Sequence, residues 1–161
     1  MRLAREVMRA SFVSTLFGGI GAGLAANGAI FLTFRLLGFG QERHGVLLNP
    51  SLQSQKLIAV WTTIEPLPLI VTHPIAMALG FAVLAVLHAF VYRWLAPAWP
   101  PGILRRALRM AWLLFLLSYV FFEYFAPFNL FREPLPLVAV ELAFWAIVAF
   151  AEGFTLAWLI E

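Results

Sequence analysis

Five ionisable residues fall inside stretches of the chain that are otherwise apolar: His73, His88, Glu123, Glu141 and Glu152. Placing a charge at bilayer depth costs roughly 2.5–3.5 kcal/mol even on the lenient insertion scale, so such a group has a partner or a task. His and Glu at two depths are what a proton relay or a cation path needs. Glu141, Trp145, Val148, Glu152 and Thr155 are spaced 4, 3, 4 and 3, which puts them on one helical face looking into a bundle. Glu141 and Glu152 lie about 16 Å apart along that axis, so each needs a neighbour from another helix. Depth groups Glu141 with Glu123 and His73 as an outer polar cluster, and sets His88 against Glu152 as an inner pair. Structural roles compete with this reading: Glu123 follows an aromatic run and can reach the headgroups, and His73 can tie down the turn beside Pro74.

Other chemistries are excluded or left without a signal. Cysteine is absent, which removes a thiol nucleophile, a CxxC redox site, covalent haem attachment and any Cys-ligated metal. There is no HExxH, HxxxH or acidic calcium loop, so neither a metal nor a cofactor is expected. His73, Glu123 and Glu141 offer three ligands, but their local spacing does not request an ion. His73 and His88 lie some 22 Å apart on one helix and cannot both ligate one haem. No phosphate loop or nucleophile elbow occurs. The net charge of +3 is spread over loops and does not make a nucleic-acid surface.

The elements that position these groups are membrane spans. Of 161 residues, 63% are hydrophobic and 12% charged, about half the charged share of a soluble domain. Apolar runs at about 12–37, 67–95, 107–126 and 135–160 are each long enough to cross a hydrocarbon core of ~30 Å. The fold class expected is an all-α integral membrane protein, a bundle of four transmembrane helices. The first run, preceded by Arg2, Arg5 and Arg9, is too long for a signal-peptide core and reads as an uncleaved span. Seven basic residues (Arg2, Arg5, Arg9, Arg93, Arg105, Arg106, Arg109) fall on one side and four (Arg35, Arg43, Lys56, Arg132) on the other. The positive-inside rule then places both termini in the cytoplasm of a prokaryotic cell, with the chain in its plasma (inner) membrane.

Two further patterns bear on architecture. Glu65-Pro66-Leu67-Pro68-Leu69 recurs as Glu133-Pro134-Leu135-Pro136-Leu137 ahead of the second and fourth spans. This suggests two parallel-repeat hairpins, with Glu65 and Glu133 capping helix starts. The first span carries Gly19 and Gly23 as a GxxxG, continued by Asn27 one turn on, a helix-packing ridge for this bundle or for another subunit. The outer loop 38–66 holds Leu52, Leu57, Ile58, Trp61 and Ile64 at roughly helical spacing. That fits either an interfacial helix or an irregular loop with apolar anchors.

Three functions are compatible, in this order. The first is a non-enzymatic bundle or accessory subunit acting through helix–helix contacts, as a homo-oligomer or with other membrane subunits. The second is a proton- or ion-coupled transporter or channel using the intramembrane His and Glu residues, at least a dimer. The third is a membrane enzyme or binder of a lipid or isoprenoid, with Glu123, Glu141 and His73 as acid/base groups.

Overall fold

The computed structural model describes residues 2–40 and 44–161, with side chains from residue 11 onward in those ranges. The side chains of Arg2, Arg5 and Arg9 and the whole of Arg43, which enter the charge count, lie outside the described residues. Every regular element described is helical. Helix α1 (Arg2–Ile30) continues through wider π turns over Phe31–Phe39, and α2 covers Gln55–Thr62. The single turn α3 (Leu69–Thr72) precedes α4 (Pro74–Leu95). Helix α5 (Ile103–Leu114) runs on to Leu130 through two π segments, and α6 spans Leu135–Ile160. Among the described residues, four stretches are long and apolar enough to cross a membrane: Ser11–Phe39, Pro74–Ala98, Ile103–Leu130 and Leu135–Ile160.

The third span begins at Ile103 rather than near residue 107, and prolines account for two further departures from the expected boundaries. The second span starts at Pro74 rather than near residue 67, because the proline ring pushes the residue before it out of helical geometry. His73 accordingly sits at φ −138°, ψ 63° and separates α3 from α4. The third span runs past residue 126 to Leu130. Pro127 lies inside it without an N–H to donate, and the π turns Tyr124–Leu130 absorb the missing bond. Helix α1 stops at Gly40, whose φ of 71° needs no side chain.

Packing makes α1 and α6 the inner pair, with α4 flanking α1 and α5 flanking α6. Helices in a membrane gain little from hydrophobic burial, so close backbone approach by small residues takes its place. A Cβ on Gly19 would stand 2.6 Å from Val86 Cα, and one on Gly23 would stand 2.9 Å from Ala82 Cα. Asn27 Nδ2 extends that seam by donating to the Ala78 carbonyl at 3.1 Å. Gly18 and Gly21 turn the other way, against Ile160 and Leu159 of α6. The glycines of α1 thus serve two neighbours, which is why they surround the helix. Gly153 does the same for α6, where a Cβ would come 2.8 Å from the Ala107 carbonyl of α5.

The loop before α4 is a built element. Ser54 caps α2 by accepting from the Leu57 N–H at 3.2 Å, and Leu57 is buried. Ser54 Oγ donates to the Phe131 carbonyl at 2.8 Å, and Lys56 Nζ donates to the Leu130 carbonyl at 2.6 Å. These two bonds satisfy carbonyls at the end of α5 that the helix itself leaves unpaired. Leu52 and Ile64 lie outside the helical turns and are exposed. Helix α2 therefore closes the end of the bundle opposite the termini, here called the α2 end.

Candidate functional site

Beneath α2 the chain brings together three carboxylates. Glu123 sits between the two π segments of α5 and is 1% exposed. Glu141 is nearly two turns into α6 and also buried. Glu133 comes from the turn between these helices, where Arg132 adopts a φ of 54°. That left-handed conformation is uncommon for a residue with a side chain. It lets the Glu133 N–H return to the Pro127 carbonyl at 3.0 Å, and the Glu133 side chain is 2% exposed. One carboxylate oxygen from each of the three lies within 4.8 Å of the others.

Two donors reach this cluster. Trp145 Nε1 donates to Glu123 Oε1 at 2.5 Å, and Gln53 Nε2 donates to Glu133 Oε1 at 2.5 Å. Glu133 Oε2 is buried with no hydrogen-bond partner, and the Glu123 and Glu141 carboxyls lie close enough to hydrogen-bond when one holds a proton. Three carboxylates this close, out of water, cannot all carry charge unaccompanied. Either they hold protons, or their oxygens surround a hard cation, which oxygen ligands suit.

None of the known families, curated proteins or solved structures compared matches this chain.

Outside the spans, burial pushes the Glu133 carboxyl up to about 7 from 4.5. The Gln53 hydrogen bond opposes this shift and the neighbouring Glu123 charge adds to it. A carboxyl raised on folding stabilises the fold fully below its unfolded value and loses that contribution as pH rises through the folded one. Thermal stability in detergent should therefore fall by roughly 3 kcal/mol between about pH 4.5 and pH 8 on account of Glu133. Glu133→Gln should flatten that part of the profile, measured as melting temperature against pH.

An aromatic layer lies next to the cluster. Trp145 stands between Phe34, at a centroid distance of 4.5 Å, and Tyr119, stacked at 4.4 Å. Two turns further along α6, Glu152 is 3% exposed and accepts His88 Nδ1 at 2.7 Å. Near the termini, Glu161 accepts from the Tyr92 hydroxyl at 2.5 Å and pairs with Arg106 at 2.9 Å. Arg93 ties α4 to α1 by donating to the Ser11 carbonyl and Thr15 Oγ1, both at 2.9 Å. Polar groups thus recur at three levels through the bundle.

The sequence-derived candidates divide accordingly. Glu123 and Glu141 meet, and His88 meets Glu152. His73 does not join the outer cluster: it is exposed, with Nδ1 3.0 Å from Thr72 Oγ1. The cause is the Pro74 break, which holds His73 off the α4 face. Glu123 does not reach out to headgroups, since it is buried. The two repeated glutamates also part company. Neither caps a helix start as expected: Glu65 accepts the Leu67 N–H at 3.1 Å in the turn before α3, and Glu133 turns into the cluster. Gln53 and Glu133 were absent from the expected site because both lie outside the spans. The one available signal was a glutamate directly preceding the span that carries Glu141.

Proposed function

We propose that this chain is a cation-handling membrane protein, the proton- or ion-coupled reading of its His and Glu residues. The observation that carries it is the meeting of Glu123, Glu133 and Glu141, with a buried oxygen of Glu133 unpartnered. Such a group is costly in a bilayer and makes physical sense where positive charge is taken up. The His88–Glu152 pair provides a second station toward the termini. The Phe34–Trp145–Tyr119 layer separates the two, and the π turns of α5 beside Tyr119 are where that helix can shift, as π segments often mark functional positions.

The accessory-subunit reading loses its main support. Gly19, Gly23 and Asn27 are occupied by α4 of the same chain. A second copy remains part of the proposal, because four spans alone rarely support alternating access. The largely uncovered outer faces of α4 and α5 are where it would pack.

The excess of Arg near the termini supports a cytoplasmic location for both ends in a prokaryotic plasma membrane, with the carboxylate cluster toward the outside. The Glu-Pro-Leu-Pro-Leu doublet and the close packing within each hairpin support descent from a duplicated hairpin. Purified protein in vesicles tests the functional reading, with a pH-sensitive dye inside one set and a divalent-cation dye inside another. A signal above protein-free vesicles in either set is expected, and its absence from both contradicts the proposal.

A further inference from the structure

A cavity of about 660 Å³ opens between α1 and the start of α4, apart from the carboxylate cluster. It exists because the His73–Pro74 break sets α3 aside from α4, while the π turns of Phe31–Phe39 widen the facing helix. Its walls are chiefly aromatic and aliphatic, including Phe31, Phe34 and Phe81, with Trp61 of α2 at one end. Two polar side chains line it, Asn27 and Arg35. Asn27 Nδ2 is committed to the Gly23 and Ala78 carbonyls, at 2.8 and 3.1 Å. Arg35 brings a permanent positive charge.

The dimensions match one kind of occupant. Arg35 lies one turn from the end of its span, at headgroup level, and Asn27 lies about 12 Å deeper along the helix. That depth is close to the hydrocarbon half of one leaflet, about 15 Å. A volume near 660 Å³ is also within the usual range for a small-molecule site. A guanidinium can meet a phosphate with two parallel hydrogen bonds, and its charge repels a headgroup ammonium, which favours a lipid of net negative charge. We infer that this cavity binds one anionic phospholipid of the surrounding bilayer, with an acyl chain among the aromatic walls and the phosphate at Arg35.

Native mass spectrometry of the full chain tests this after exchange into detergent with equal amounts of phosphatidylglycerol and phosphatidylcholine. The wild type should retain phosphatidylglycerol about tenfold more than phosphatidylcholine. Arg35→Gln, at an exposed position, should remove the preference while leaving the fold intact. Ala78→Phe, which fills the cavity from its α4 wall, should remove retention of both lipids. Equal retention of the two lipids by the wild type would overturn the inference. So would an unchanged preference in Arg35→Gln, or wild-type retention in a folded Ala78→Phe protein.

Discussion

Trp145→Ala should destabilise the protein by about 4 kcal/mol, as the loss of a large buried ring generally does. The indole is held between Phe34 and Tyr119, with ring centroids 4.5 and 4.4 Å away. Its removal leaves a void bordered on both sides by aromatic faces. It also removes the N–H that Glu123 accepts at 2.5 Å. Trp145→Phe separates the two effects, since it keeps most of the ring and deletes the donor. That variant should lose about 2 kcal/mol, the cost of leaving a buried acceptor unsatisfied. Combining Trp145→Phe with Glu123→Leu should lose less than the two changes taken separately, because the acceptor then needs no donor. Chemical or thermal unfolding in one detergent, followed by helical circular dichroism, reads these variants and the Glu123→Leu single.

His88→Phe should cost about 2 kcal/mol, because it leaves the buried carboxyl of Glu152 without its hydrogen-bond partner. Glu152 is 3% exposed, and His88 Nδ1 lies 2.7 Å from its Oε1. With phenylalanine in place of the imidazole, that carboxyl loses the one side-chain hydrogen bond it makes among the described residues. Replacing both residues with apolar ones of similar size, His88→Phe with Glu152→Leu, should recover most of the stability. Loss in the single variant and recovery in the double identify a coupled pair. If His88→Phe melts at the wild-type temperature, the pair contributes nothing and Glu152 is accommodated otherwise. The same double variant should also lose cation flux despite its recovered fold, which separates the functional role from the structural one.

Some of this was legible from residue order alone. The spans follow from apolar length, and the inward face of α6 follows from the 4-3-4-3 spacing of Glu141 through Thr155. The His88–Glu152 contact follows from depth, since two polar groups at one level of a narrow bundle have few other partners. The rest depended on tertiary geometry. His73 matches Glu141 in depth, but Pro74 breaks the helix there, so equal depth does not become contact. Glu133 shares its pentapeptide with Glu65, yet the left-handed Arg132 turns it inward, while Glu65 stays at the surface in a local turn. A repeated string implies a repeated local conformation only where the preceding turn is repeated too. Gln53 reaches the site because α2 docks on the end of α5, a long-range contact that loop composition does not reveal. The close approach at Gly153 was hidden for the same reason: one glycine in an apolar helix does not say which neighbour it admits.

We propose that the Glu123–Glu133–Glu141 cluster receives positive charge as part of what the protein does. The most direct test compares three proteins in vesicles: wild type, the Glu123→Gln/Glu141→Gln double variant, and Glu65→Gln, whose carboxyl is exposed in a local turn. Glutamine keeps the size and polarity of each side chain while removing its capacity to carry negative charge. Proton and divalent-cation flux are recorded under an imposed membrane potential, with circular dichroism confirming that each protein is folded. The wild type and Glu65→Gln should conduct alike, and the double variant should be slower by about tenfold or more. Wild-type flux through the folded double variant would contradict the account.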